Sequence, residues 1–577
     1  MKNRVLKLFY LAVVLLLSFA IIRPFLSDSY FPMHDDTQPA RVYQMAKALS
    51  LGQFPVRWVP DLGYGYGYPL FNFYAPLPYY IGALFNLVGF DVIWATKIMI
   101  ILGILLAGVS MFFLVSEISG DIAAVVSAIL YMYAPYHAVN IYIRGAVGEI
   151  YTYGLFPLLL LGIYSISTTR SNIANSSKIK NSFLIASMSF AAILLSHNIV
   201  GLITALFYIL GLILYLFFFI LSRKSENRLP FYVSIFLVGI GLSAFFILPA
   251  LVESRYTRVS DLIKGGSDFR NHFVYADQLW DSPWGYAGSA QGREDGMSFK
   301  IGKFNLIIGL LTLPLLYILY KRKRIDANHL SLITYLLSLF ILSIFMMLEI
   351  SKSIWEKVPF LAYIQYPWRF LNFTLLALCV LTGLSFKYVN KSTQAVAATT
   401  IVVIALFINI KYFVPRVYLE SNPADYISEH NLKYKISKIS DEYLPPEFKV
   451  PQLPSEIARQ SIENKDNFTI AQQEFDLPTI KIYQVVASQP TKLLTNISFF
   501  PGWQSYIDDR STNISNHLGR IEVEIPQGRH TLTFKLINTP VRLAGNTVSL
   551  LSFILLVYVS LFWSSILIWI KKPQWKL

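Results

Sequence analysis

Apolar runs about as long as a bilayer's hydrocarbon core recur through most of this chain, and they constrain its fold more than any other feature. Spans are read near residues 5–22, 92–115, 121–138, 150–168, 182–200, 201–221, 231–251, 303–320, 329–348, 370–386, 394–410 and 547–570. Each offers roughly the 17–25 apolar residues that a helix needs to cross. Inside lipid every backbone N–H and C=O must be bonded within its own segment, so such runs read as helices. With 55% of its 577 residues hydrophobic, the chain is too apolar for a water-soluble globule. The expectation is a polytopic α-helical membrane protein.

Basic clusters orient the spans. Arg170, Lys178 and Lys180, then Arg223, Lys224 and Arg228, then the Lys321–Arg324 run, Lys387 with Lys391, and Lys571 with Lys572 belong on the cytoplasmic side. A cytoplasmic N-terminus and about twelve spans satisfy all of them, and leave both termini in the cytoplasm. The stretch "LFNFYAPLPYYIGALFNLVGF", residues 70–90, is apolar enough to cross, but a crossing there would turn the later clusters outward. It is therefore read as an interfacial or re-entrant helix on the outer face, inside a first external loop 23–91. Lys2, Arg4 and Lys7 precede the first run, no small-residue cleavage motif follows it, and Arg23–Pro24 closes it, as in an uncleaved first span.

The formal charge of +15 has neither a long basic run nor a nucleic-acid motif behind it. It is assigned to cytoplasmic Lys/Arg and anionic lipid head groups, not to nucleic acid. The single cysteine, Cys379, lies in a span and excludes an internal disulfide. The chain divides into a membrane module 1–410, an extracytoplasmic β-rich domain 411–546, and a last span with a basic cytoplasmic tail 547–577. In the second of these, "TIKIYQVVA", "KLLTNISFFPGWQSYI" and "GRIEVEIPQGRHTLTFKL" alternate apolar and polar residues, with turns at Pro501–Gly502 and Gln527–Gly528, as in a small β-sandwich.

The middles of the spans are nearly free of charge, and the ionisable residues gather at their outer ends. His34, Asp35 and Asp36 follow the first span. Arg41 follows them, and Arg144 and Glu149 in "IYIRGAVGEIY", His197 in "LLSHNIVG", Glu253, Arg255, Arg258, and Arg369 in "YPWRFL" join them. Ion-coupled transporters carry such groups at the bilayer midplane instead. Gathered at one interface, they point to a reaction on a substrate whose reactive end lies at the membrane surface. Asp36 or Thr37 is expected to N-cap an amphipathic helix closed by Gly52, whereas Asp35 has no structural task of this kind. Arg144 suits either a phosphate ligand or an ion pair with Glu149. Aromatics in "GYGYGYPLFNFY", Tyr66 and Tyr68 among them, suit an interfacial belt or a stacking surface for a sugar or lipid.

In organisation the chain resembles GT-C-type membrane glycosyltransferases, which pair a first external loop opening on an acidic residue with surface helices and many spans. Asp35 matches that acidic position. "MHDDTQPARVYQ", "YPLFNFYAPLPYY", "IRGAVGE", "LLSHN", "DSPWGYAGSAQGREDGMSFKIG" and "YPWRFL" resemble the bacterial membrane proteins labelled 6-pyruvoyl-tetrahydropterin synthase-related, and "FFPGWQSYIDD" with "VEIPQGRHTLTFK" resembles the tail of YfhO-type proteins. Pterin synthesis is rejected, because that chemistry needs a histidine cluster on zinc and the eight histidines here are scattered.

The resemblance implies a glycosyltransferase that takes sugar from a polyprenyl-phosphate donor on the extracytoplasmic face of a bacterial plasma membrane. The acceptor would be a glycan, lipid or protein. Asp35, with Asp36 beside it, is the candidate base, or Asp35 the ligand of a divalent metal. Arg144, Arg369 and His197 are candidates for the donor phosphate, supported by His34, Glu149, Tyr66, Tyr68 and Trp284. The other class in view is a non-enzymatic membrane protein that binds or translocates lipid-linked glycans.

Overall fold

A computed structural model describes residues 2–170, 175–222, 227–263, 265–465 and 467–571; Arg223, Lys224 and Lys572 of the basic clusters lie outside the described residues. The helices that carry the architecture are α1 (Lys2–Leu17), α2 (Gln38–Ser50), α3 (Leu77–Leu87), α4 (Val92–Ser119), α5 (Asp121–Met132), α6 (Val147–Thr168) and α7 (Ser176–Ser196). They continue with α8 (Asn198–Ser222), α9 (Leu229–Glu253), α10 (Lys303–Lys321), α11 (Ala327–Met347), α12 (Leu371–Phe386), α13 (Lys391–Asn409) and α14 (Pro540–Lys571). Among the described residues 11 helices are long and apolar enough to cross a membrane, or 12 if one bent pair counts as a span. The centre of the bundle is α12, whose residues are all buried.

The stretch 70–90 forms a short turn, Leu70–Phe73, and the 11-residue α3. At 1.5 Å per residue α3 reaches roughly half the ~30 Å hydrocarbon thickness, too short to cross. Among the described residues, no helix between residues 27 and 91 is long enough to cross. The last helix starts at Pro540, earlier than expected, because its first turns are polar and become visible only once the chain packs on α9.

The bent pair is Asp121–Met132 followed by Pro135–Arg144, at 51°. Pro135 has no N–H and ends α5. Pro157 lies inside α6 and likewise leaves the Tyr153 carbonyl, four residues back, without its helical donor. Tyr131 O–H donates to that carbonyl at 2.8 Å, and Tyr153 O–H donates to the Tyr131 carbonyl at 2.9 Å. The two rings stack at 3.8 Å, with His137 on the second at 4.4 Å. Two proline-freed carbonyls are therefore satisfied by a reciprocal tyrosine pair in the bundle interior.

Beyond α13 an irregular segment leads to eight strands: β1 (Phe468–Asp476), β2 (Ile480–Ala487), β3 (Thr491–Ser498), β4 (Trp503–Ile507), β5 (Arg510–Thr512), β6 (Ile514–His517), β7 (Arg520–Ile525) and β8 (Gly528–Leu536). They form antiparallel sheets ordered β1-β2-β8-β4-β5 and β3-β7-β6. Tyr483, Val485 and Ala487 of β2, Ile521, Val523 and Ile525 of β7, and Leu532 and Phe534 of β8 are buried at every second position, the period that a half-buried strand requires.

The tyrosine pair yields a test. Tyr131→Phe should cost on the order of 1 kcal/mol by leaving the Tyr153 carbonyl unbonded, read as a lower apparent unfolding temperature in detergent. Adding Pro157→Ala should recover part of the loss, since its N–H can reclaim the same carbonyl. Tyr131→Phe with an unchanged unfolding temperature would contradict the pairing.

Candidate functional site

One carboxylate gathers the charges that lie scattered in sequence. Glu149, in the first turn of α6, is fully buried. Its Oε1 lies 2.8 Å from Arg144 Nη2, 3.3 Å from Arg369 Nε and 3.7 Å from His197 Nε2. Its Oε2 accepts from Asn372 Nδ2 at 3.0 Å and Tyr136 O–H at 3.4 Å. A buried carboxylate is tolerable only when paired and hydrogen-bonded in this way. Two guanidinium groups face one carboxylate, so the cluster holds an excess of positive charge even with His197 neutral. Val200 N–H donates to His197 Nδ1 at 3.3 Å, so a neutral ring carries its proton on Nε2, facing Glu149.

Two glycines of "IRGAVGE" make this convergence feasible. A Cβ on Gly148 would come within 2.3 Å of the Ser196 carbonyl, so only glycine lets α6 approach the end of α7 closely enough for His197 to reach Glu149. Gly145 has φ +61 and ends the wide turn Val139–Arg144 that aims Arg144 back at α6. Arg144 is held further by Asn140 Oδ1 at 2.6 Å and lies over the Trp368 ring at 4.5 Å. Arg369 donates through Nη1 to the Ile364 carbonyl at 2.6 Å and to Gln365 Oε1 at 3.4 Å.

Loop 23–91 is stitched to this cluster through its backbone. His34 N–H donates to the Ile143 carbonyl at 2.9 Å, Asp35 N–H to the Arg144 carbonyl at 3.0 Å, and Gln38 Nε2 to the Gly145 carbonyl at 2.8 Å. The Asp35 side chain is half-buried and lies within electrostatic reach of Arg144 and Arg41. Asp36 is engaged differently: Tyr426 O–H donates to its Oδ1 at 3.1 Å and to its Oδ2 at 3.4 Å. Burial pushes its carboxyl up to about 6, against the opposing pull of that hydrogen bond.

The expected N-cap bond is not made. Thr37 occupies the N-cap position of α2 but no side chain caps it, and Thr37 Oγ1 has no partner. Pro39 stands at the second helical position, where it removes an N–H that a cap would bind. Trp284 packs on Tyr412 at 4.6 Å, in a loop whose Gly288 approaches His34. Tyr68 O–H reaches Glu442 Oε2 at 3.4 Å, and Tyr66 packs on Phe448 at 5.2 Å and beneath Arg520 at 5.1 Å, toward the β-domain. Neither tyrosine joins the Glu149 cluster.

Sequence reasoning did not single out Asn140, Asn372, Tyr136 and Trp368 around Glu149. Asn140 is four residues before Arg144 and Asn372 three after Arg369, spacings that share a helix face; that was the available signal. Arg41 emerges as a buried guanidinium, stacked on Tyr74 at 4.1 Å, donating to Ser440 Oγ at 3.4 Å and leaving Nη1 without a partner. Among the described residues no three His, Cys, Asp or Glu side chains converge as metal ligands. Asp35 and Asp36 are not part of such a group.

These features define an integral membrane protein: a multi-helix bundle with a buried charge cluster at one end and an antiparallel β-domain before the last helix. The chain belongs to the 6-pyruvoyl-tetrahydropterin synthase related domain family of membrane proteins, whose profile matches residues 71–414. An uncharacterized protein of Lactococcus lactis subsp. cremoris (strain MG1363) is 25% identical over 286 residues, 47% of this chain and 44% of that protein. The chain thus matches less than half of that relative's length.

Among solved structures, it is similar to the Archaeoglobus fulgidus oligosaccharyltransferase in the apo form (13% identity, 70% of this chain and 55% of that one, TM-score 0.45). It is also similar to the arabinofuranosyltransferase AftD from Mycobacteria (14% identity, 73% of this chain and 28% of that one, TM-score 0.41). The chain thus spans about half the length of the first enzyme and less of the second. At these scores the likeness is too distant to assign a function.

Two predictions follow from the geometry. Glu149→Gln leaves two buried guanidinium groups unpaired and should cost about 3–5 kcal/mol, seen as a large fall in folded yield and unfolding temperature. Arg144→Gln in the same chain should lose less than the two single changes added together; additive losses would mean that the pair is not coupled.

Asp36 sets a pH window. Its folded value, about 6, lies above its ordinary 3.8, so its contribution to stability is full below pH 4 and lost as pH rises through 6. Asp36→Asn should remove that dependence and gain unfolding temperature on wild type between pH 4 and 7. A constant difference across this range would refute it.

Proposed function

We propose that this protein is a membrane glycosyltransferase of the GT-C type, moving a sugar from a polyprenyl-phosphate donor to an acceptor hydroxyl on the extracytoplasmic face. Asp35 takes the hydroxyl proton as the acceptor oxygen bonds to the anomeric carbon. The bond from that carbon to the phosphate oxygen breaks, and the lipid phosphate leaves with the electron pair. One observation carries the reading: Asp35 is fixed by its own N–H to the Arg144 carbonyl, at 3.0 Å, while its carboxylate makes no hydrogen bond among the described residues. A general base needs this combination of fixed position and uncommitted oxygens.

Support comes also from the charge excess around Glu149, which suits a group gaining negative charge at the same end of the helices. Arg144 and Arg369 both spend donors on Glu149, so they act chiefly as a fixed positive field. Arg369 Nη2 makes no hydrogen bond among the described residues, and is the donor best placed to reach a phosphate oxygen. The membrane family and the sequence resemblance to GT-C-type enzymes point the same way. Acceptor class, donor sugar and the bacterial plasma-membrane setting belong to this proposal.

Asp35→Asn keeps shape and removes the base. With a panel of radiolabelled polyprenyl-phosphate sugars, transfer should fall by about a hundredfold or more, while donor binding persists and Asp36→Asn has a milder effect. Full transfer by Asp35→Asn would remove Asp35 from the chemistry. Donor binding without transfer by wild type would favour the non-enzymatic reading.

A further inference from the structure

Far from Glu149, at the opposite ends of the helices, a cavity of about 510 Å³ opens between α6, α8, α9 and α11. Its inner wall is apolar: Leu160, Ile163, Leu212 and Leu332, with the rings of Tyr208 and Tyr335. Its mouth is polar, with Ser167, Thr168, Thr169, Arg170 and Ser331. Arg170 is exposed there. Arg228 stands beside it and donates to the Thr169 carbonyl at 2.7 Å. Lys387 Nζ lies 2.9 Å from His329 Nε2, whose ring also meets Tyr164 O–H in the cavity wall at 3.1 Å. Asp326 is bonded to His329 Nδ1, and Glu117, which also acts on Tyr164, is paired with Lys178 at 2.5 Å. Among the described residues, cationic groups outnumber acidic ones around the mouth.

The dimensions fit a lipid. Leu160 at the deep end and Arg170 at the mouth are ten residues apart along α6, roughly 15 Å at 1.5 Å per residue. That is about the depth of one leaflet's hydrocarbon in a ~30 Å core. One wall is α8, which is mostly exposed on its outer side, where lipid would surround it. A narrower cavity shares Leu160 and Tyr208 with it and extends toward Phe207 and Phe373. An apolar slot one leaflet deep, with cations and hydroxyls at the head-group level, complements an acyl chain carrying an anionic phosphodiester.

From this geometry we infer that the cavity is a site for one anionic phospholipid of the leaflet opposite the Glu149 cluster, with an acyl chain between α6, α8 and α11 and its phosphate at Arg170. The site is separate from the proposed donor chemistry and does not rest on it.

The test uses the full chain, purified and delipidated in detergent, then offered phosphatidylglycerol and phosphatidylcholine of the same acyl length in equal amounts. Bound lipid is counted by native mass spectrometry. Wild type should retain one phosphatidylglycerol, in several-fold preference. A Cβ on Gly211 would lie 3.2 Å from the Tyr335 ring, so Gly211→Phe fills the slot and should lower retention several-fold. Arg170→Gln, at an exposed position, should keep a lipid but lose the preference for phosphatidylglycerol. Asp35→Asn should retain lipid as wild type does, whatever becomes of transfer.

Undiminished retention by a folded Gly211→Phe would overturn the site. If that variant does not fold, Arg170→Gln decides, and an unchanged preference overturns it. A polyprenyl phosphate that displaces phosphatidylglycerol from wild type would overturn the phospholipid assignment and mark a donor-tail slot instead.

Discussion

The carboxylate of Glu149 is the constraint on which the charged end of the bundle depends. It joins the turn before α6, the end of α7 and the start of α12 through Arg144, His197 and Arg369. Ionised groups at a membrane edge cannot be left unpaired without a large desolvation cost, so each side chain fixes where the others must be. Arg369 is also tied to the Ile364 carbonyl, which extends the constraint into the segment before α12. Exchanging the charges of Arg144 and Glu149 would set a second guanidinium against Arg369. The pair therefore cannot be inverted, even though its own two members are a simple salt bridge.

A second buried carboxylate does the same for the β-domain. Glu253, at the end of α9, accepts from Asn72 Nδ2 at 2.9 Å, Thr539 Oγ1 at 2.6 Å and Arg542 Nε at 3.0 Å. Arg542 in turn donates to the Pro501 carbonyl at 2.8 Å, and Arg57 ties Asn72 to Asn546 at 3.1 and 2.9 Å. The "FFPGW" stretch thus serves as a docking element. Pro501 meets the last helix, while Phe500 and Trp503 pack on Trp58 of the first loop at 6.1 and 5.5 Å. Loop, strands and final helix meet at one carboxylate.

Much of this was legible because lipid imposes a length on apolar runs. The spans and the strands around Pro501–Gly502 and Gln527–Gly528 follow from period and composition, and the non-crossing 70–90 stretch from the side on which the basic clusters must lie. The bend at Pro135 and the early start at Pro540 were hidden, because one lies within an apolar run and the other in a polar turn. Arg144 and Glu149 could be paired from five residues of sequence. Their junction with Arg369 spans 220 residues and could not. The capping expectation was not met: no side chain caps α2, Thr37 Oγ1 has no partner, and Asp36 bonds Tyr426 instead.

The adjacent acids Asp35 and Asp36 differ by what holds them. Asp36 is fixed through its side chain, by Tyr426, and a proton gained or lost there disturbs that contact. Asp35 is fixed through its main chain, by the Arg144 carbonyl, with His34 and Gln38 bonded on either side. Its carboxylate makes no side-chain hydrogen bond among the described residues, while its position stays set by the hairpin that also carries Arg144. A group that must exchange a proton repeatedly needs a support that the proton does not touch, and backbone anchoring beside a fixed positive field provides one. Of the two neighbours, the one with fewer side-chain contacts is thus the better suited to chemistry.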